Sequence, residues 1–348
     1  MYIKDLTCIS PQSTYDPIFP GKQVEVHQGT RYLALEPSYQ GLIPAGLLRR
    51  MGKAVRMGVG AGLPLLQTNP GLDGIILATA NGGLEDCLRF LNQIVDYEEG
   101  TLTPTNFVQS TPNAVAGNLA LLNKNTGYNI THVNKGLAFE SALLDAKLLV
   151  EEGRAQKLLL GSVEEISDYN YNIDYLTGLF KKESISSTQL LRSTTEGTVC
   201  GEGAAMFVVE SSPSTAGQVK IQDVGQISYV DETGLVEYLN LFLGLNSLKS
   251  GDIDAVILGK NGDVRTDHWY DLVNDRLEDL AGCFTFKNMV GDYPTAVSFA
   301  VWMGVRILRG EELPAEAYYK KIEQKVKNIL IYNHHKGVQH GFILLSAR

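Results

Sequence analysis

Basic residues are the minority charge. Thirty Lys and Arg stand against 39 Asp and Glu in 348 residues, a formal net charge of −9. Proteins that neutralise nucleic-acid phosphates carry a basic surface excess, so a general nucleic-acid-binding role is excluded. Long apolar runs are also missing. No stretch reaches the length of a membrane-spanning helix, and the N-terminus, MYIKDLTCIS, has no basic segment followed by an apolar one. The expectation is a cytoplasmic protein with no membrane segment.

Cysteine and histidine are scarce. Cys8, Cys87, Cys200 and Cys283 show no metal-ligand spacing, and a chain of this size does not need disulfides. Reduced, mostly buried thiols are expected, with Cys87 on a helix stripe and Cys200 and Cys283 in the core. Of the six histidines only His334 and His335 are adjacent. Neighbours on a strand point to opposite faces and do not chelate easily, so these two and His340 are expected to be ordinary loop residues. No metal and no cofactor are called for.

What is there is an α/β pattern. Short aliphatic runs mark strands at Gly74 to Ala78, Lys157 to Gly161, Ala204 to Glu210, Val219 to Val224, Ala255 to Gly259 and Gly341 to Leu345. Three-and-four spacing marks helices over Leu84 to Val95 and Ser141 to Glu152, the second stopped by Gly153. The breaker-rich stretch from Ser211 to Gln218 separates two α/β parts, 1–210 and 211–348. A mostly parallel, buried sheet is expected.

Four segments in one order resemble the β-ketoacyl synthase family. They are Ala78 to Glu85 with its Gly-rich turn, Thr111 to Gly117 with its Pro-Asn pair, Gly127 to Gly161, and Gly201-Glu202-Gly203-Ala204-Ala205. The resemblance implies the thiolase-like fold, two similar βαβαβ-type halves in a five-layer αβαβα arrangement. It also implies a cysteine nucleophile and two histidines, and all three are lost. Counted from Asn129 forward or Gly153 backward, the cysteine position falls on Gly136. Glycine cannot accept an acyl chain, although it tolerates the positive φ expected at such a turn.

The segment Ile253 to Asp263 resembles the strand and loop of the first histidine, whose position falls on Gly259, with Asp267 supporting the register and Lys260 one residue away. Lys287-Asn288-Met289-Val290-Gly291-Asp292 resembles the segment of the second: Lys287 is kept and histidine becomes Asp292. An ionised aspartate donates no hydrogen bond to a developing oxyanion.

The pattern of loss is similar to that of chain-length factors. It implies a non-condensing subunit that supports an active β-ketoacyl-ACP synthase in fatty acid, polyketide or aryl-polyene-type biosynthesis, meeting acyl carrier protein through that partner. The resemblance places the dimer seam at Thr111, Pro112, Asn113, Val115 and Thr131, against an active ketosynthase or a second copy. Two other readings stand beside it. His132, Lys135, Glu140 and Ser141 flank the lost nucleophile and would build a new site in an acyl-transfer or decarboxylating enzyme. A structural homodimer without an acyl pocket would have a centre filled by side chains.

Overall fold

Along each strand, successive side chains enter different cores, and this alternation sets the layers of the molecule. The computed structural model describes residues 1–15, 24–102, 104–215, 217–277, 280, 282–320 and 325–347. Among these residues one mixed sheet of eleven strands forms. Its first part holds β1 (Tyr2–Ile9), β2 (Gly74–Ala78), β3 (Tyr128–His132), β4 (Lys157–Glu164) and β5 (Gly203–Glu210). Its second holds β6 (Val219–Ser228), β7 (Ala255–Leu258), β8 (Gly282–Thr285), β9 (Tyr318–Lys320), β10 (Asn328–His335) and β11 (Gln339–Ser346). The order is β9-β8-β7-β10-β11-β6-β1-β5-β4-β2-β3.

The two parts repeat one another. β2 lies parallel to β3 and β4, β4 antiparallel to β5, and β5 antiparallel to β1. In the same way β7 lies parallel to β8 and β10, β10 antiparallel to β11, and β11 antiparallel to β6. The parts join where Tyr2 pairs with Lys220 and Ile3 with Val219.

The helices of seven residues or more are α1 (Lys53–Thr68), α2 (Leu84–Asp96), α3 (Ala114–Asn123), α4 (Ala138–Glu151), α5 (Asp168–Leu176), α6 (Glu232–Leu245), α7 (His268–Asn274) and α8 (Val297–Leu308). Ile76, Leu160 and Phe207 from one part and Ile257, Ile331 and Ile343 from the other share a central core with α4 and α8. On the opposite strand faces, Ile75, Leu77 and Leu159 pack under α1 and α3. Val256, Leu258 and Leu330 pack under α6 and α7. The result is the expected thiolase-like αβαβα arrangement. The helix α8, VSFAVWMGVRIL, is apolar on nearly every side because it is covered on every side. Each fully buried Leu, Ile or Phe here contributes about 1.5–3 kcal/mol.

Two expectations fail. The sheet is not mostly parallel, because six of its ten strand pairings are antiparallel. Asn333 to Gly341 is not a loop: β10 runs to His335 and β11 resumes at Gln339, with His334 opposite His340 in a continuous ladder. The reversal is compressed into residues 336–338, where Lys336 and Gly337 take φ of 56° and 64°. No helix among the described residues is long and apolar enough to cross a membrane.

Candidate functional site

The chain leaves β3, turns through a single 3₁₀ turn (Lys135–Leu137) and enters the central helix α4. The left-handed residue of this turn is Lys135, at φ 57°, and not Gly136 as expected. Gly136 is required for a different reason. A Cβ built on it would overlap the Cβ of His335 and lie 2.6 Å from its Cγ. Its N–H donates to Gln339 Oε1 at 3.0 Å. The β10–β11 hairpin therefore occupies the space that a nucleophile's side chain would need.

Gly259, just beyond β7, is closed in the same way. A Cβ there would overlap Asn333 Oδ1 and lie 2.8 Å from Tyr270 Oη. Lys260 is turned toward Asp271, 2.6 Å away. Asp267 accepts the N–H groups of Asn261 and Gly262, which fixes the loop. Lys287 is almost fully buried, and its ammonium lies 2.8 Å from Asp292. Asn261 Nδ2 donates to the other Asp292 oxygen at 2.6 Å. The retained lysine is thus neutralised by the residue in the place of the second histidine.

Beside these positions lies a pocket of about 420 Å³, whose lining includes Asn81, Glu164, Glu165, Asp292 and His335. Burial raises the Glu164 carboxyl to about 8 although it accepts the N–H groups of Ala80 and Asn81. Burial likewise raises Glu165 to about 7. Burial pushes the His335 imidazole down to about 4, despite the nearby Asp292 carboxylate, so it is neutral at pH 7. Cys200 also lines the pocket, and desolvation holds its thiol well above the usual range, so it is no nucleophile.

Of the catalytic, rebuilt-site and seam positions expected from sequence, only Asp292 lines this pocket. His132 sits on the edge strand, paired with Asp145 at 3.0 Å. Lys135 is exposed. Ser141 accepts from Asn134 and Gln226. Glu140 is fully buried against Gly341, with neither carboxyl oxygen hydrogen-bonded, and burial raises it to about 8. These four groups do not converge on one reacting centre. The pocket's own groups were missed: Glu164 and Glu165 lie beyond the strand expected at Lys157 to Gly161, and His335 was expected in a loop.

The seam residues divide. Thr111, Pro112 and Asn113 are exposed, and Thr131 Oγ1 donates to Asn113 Oδ1 at 2.8 Å. Val115 is 3% exposed and packs in the outer core against Gly58, so it is not available to a partner. The expectation is corrected there: α3 turns Val115 toward α1, and its outward face carries Leu121, 80% exposed. Cys8, Cys200 and Cys283 are buried and Cys87 only partly so. His334 Nε2 donates to Thr266 O while its Nδ1 accepts from Gly337, a tautomer assigned from these partners. No group of three or more His, Cys, Asp or Glu suited to a metal occurs among the described residues.

Comparison with known proteins agrees with this architecture. The sequence profile of the β-ketoacyl synthase N-terminal domain matches residues 27–215. A search of curated proteins returns no match. Among solved structures, a β-ketoacyl synthase from Burkholderia phymatum superposes with a TM-score of 0.81 at 14% identity, covering 100% of this chain and 99% of that one. The ishigamide ketosynthase/chain length factor gives 0.78 at 13%, covering 100% and 98%. A ketosynthase in complex with its chain length factor from Xenorhabdus doucetiae gives 0.76 at 13%, with the same coverage. These likenesses show the fold, and because the profile spans more than half of the 348 residues, the chain belongs to the β-ketoacyl synthase family.

Proposed function

We propose that the protein is a non-condensing, chain-length-factor-like subunit that pairs with an active ketosynthase, and with itself when produced alone. The observation that carries this reading is the closure of the catalytic positions. Gly136 and Gly259 have no side chain, and His335 and Asn333 fill the space where one would lie. At the third position Asp292 is bound to Lys287, which leaves no donor for an oxyanion. In this reading the two halves, 1–210 and 211–348, are kept for shape, the subunit works in the cytoplasm, and acyl carrier protein is met through the partner.

A second feature supports a partner at the seam. The helix α3, AVAGNLALLN, has no charged residue and no polar face. Such a helix belongs in a covered position, yet Leu121 is exposed and Gly117 faces open space. Next to it, among the described residues, β3 pairs in the sheet only with β2, so its other edge can take a partner strand. Association along this edge and helix would cover both. The rebuilt-site enzyme finds no support, because His132, Lys135, Glu140 and Ser141 lie apart from the pocket.

The test is co-expression with an active ketosynthase from the same source. A heterodimer by size exclusion and light scattering is expected, together with a partner that loses chain-length control without this subunit. Intact mass after incubation of this chain alone with an acyl-carrier thioester should show no adduct. A stable monomer at micromolar concentration, with and without the ketosynthase, would sink the reading.

A further inference from the structure

Between Ala78 and Ala114 no apolar side chain of the described residues is buried. The sequence there does not lack them. In α2, LEDCLRFLNQIVD, they fall at Leu84, Cys87, Leu88, Leu91, Ile94 and Val95, the three-and-four spacing of a helix that buries one face. Yet the buried residue of α2 is Asp86, and Val95 is 76% exposed. By contrast α1 buries eleven of its 16 residues. The short helix Pro104–Gln109 packs beside α2, with the Phe90 and Phe107 rings 5.3 Å apart, and it too leaves Phe107 and Val108 exposed. A contiguous apolar surface with no core beneath it marks a site of association.

This surface runs into the β3 seam. Gly83, at φ 83°, lets the start of α2 lie against residues 109–111, where a Cβ on it would stand 2.8 Å from Gln109 O and 3.3 Å from Thr111 O. Two residues further, the Asn113 side chain accepts from Thr131 at 2.8 Å and donates to Asn129 at 3.2 Å, both on β3. Size points the same way. A specific protein interface takes about 20–30 residues a side, more than the five residues of β3 and the ten of α3 offer. Residues 84–113 make up the difference. Charge argues against a membrane surface as the cover: the segment carries Glu85, Asp86, Asp96, Glu98 and Glu99 against Arg89 alone, and anionic headgroups would repel it.

We infer that the subunit paired along β3 also covers α2 and residues 104–113, so that one apolar interface runs from the β3 edge to Val95. The inference rests on the pairing proposed above and gives that pairing its extent. The apolar face of α2 finds its core in the other subunit, with Leu91, Phe107 and Val108 as the large side chains at the contact.

Two measurements on the full chain test it. In light scattering over a dilution series, Val95→Asp and Phe107→Asp should each weaken the dimer at least about tenfold, because each puts an unpaired charge into an apolar interface. Their circular dichroism should match the parent, since both side chains are exposed. Leu245→Asp, at an equally exposed residue on α6, should leave the dimer unchanged. In hydrogen exchange read by mass spectrometry, peptides from 84–113 should exchange more slowly in the dimer than in Val133→Asp. If the parent dimerises while Val95→Asp and Phe107→Asp dimerise as tightly, or while Leu245→Asp weakens the dimer as much as they do, the inference is overturned and the pairing itself stands. A parent that stays monomeric with and without an active ketosynthase overturns both. If the aspartate variants do not fold, equal exchange of 84–113 in the dimer and in Val133→Asp overturns the inference instead.

Discussion

Replacing Gly136 by cysteine puts a nucleophile at the position that the proposed reading gives to the family's cysteine, and the structure predicts that the replacement fails. The new Cβ would lie 2.6 Å from His335 Cγ and overlap its Cβ, where carbon atoms normally stand about 3.5–4.0 Å apart. Both Cβ atoms are fixed by backbone, so no rotamer change relieves the clash. The hairpin cannot easily retreat, because it is paired without interruption from Asn328–Ser346 to His335–Gln339. Overpacking usually costs about 1–3 kcal/mol, occasionally more, and this contact belongs at the upper end, about 3 kcal/mol. Urea unfolding should show that loss, and intact mass should show no acyl adduct. Adding His335→Gly opens the space, so a double-mutant cycle should give a favourable coupling of at least about 1 kcal/mol. Condensation should stay absent, since Gly259 and Asp292 remain. A Gly136→Cys variant as stable as the parent and readily acylated would refute the argument.

Three further outcomes follow from burial and charge. Val115→Asp should lower stability by about 3 kcal/mol or more in urea unfolding rather than separate a dimer, because it places an unpaired charge in the outer core beside Gly58. Val133→Asp, at a residue 48% exposed beside β3, should leave unfolding within about 0.5 kcal/mol of the parent and abolish dimerisation in light scattering. Glu140→Gln should change the pH dependence of stability. The folded carboxyl is raised to about 8 from an ordinary value near 4.5, so below pH 4.5 both states are protonated and the residue is neutral in effect. Between pH 4.5 and 8 the unfolded state ionises first and the parent loses stability, on the order of 5 kcal/mol across the window. The glutamine variant should therefore gain on the parent as pH rises to 8 and keep a constant lead above it. Parallel pH profiles would contradict this.

The strands were legible because each is a short aliphatic run, such as Gly74 to Ala78 (GIILA), buried on both faces and bounded by turn residues. The residue types at Gly136 and Asp292 were enough to raise the expectation of lost chemistry on which the proposed function rests. What closes the site was not, because His335 reaches Gly136 from the far end of the chain and no local pattern records that contact. The inward direction of Val115 was hidden for another reason: a helix apolar on every side gives no periodicity by which to choose its buried face. Glu164 closes β4 and Glu165 follows it, where a continued strand would alternate the two between opposite faces. Both are buried because β4 stops at Glu164 and the chain turns into the Ser167 cap of α5, whose Asn170 donates to the Glu165 carbonyl.

The two glycine positions have one structural cause. Side chains on a strand alternate with period two, and Ile329 and Ile331 of β10 face the central core while Leu330 and Tyr332 face the outer one. The same alternation carries Asn333 and His335 onto the central face, where Asn333 meets Gly259 and His335 meets Gly136. His334, on the other face, stacks on Tyr270 with centroids 4.3 Å apart. A single strand face therefore closes the places of the nucleophile and of the first histidine together. Restoring either side chain alone meets a filled volume, so condensation would require changes in the turn before α4, in the β7 loop and on β10 at once. On the proposed reading, that interdependence is what would separate a committed structural subunit from an enzyme one substitution away from activity.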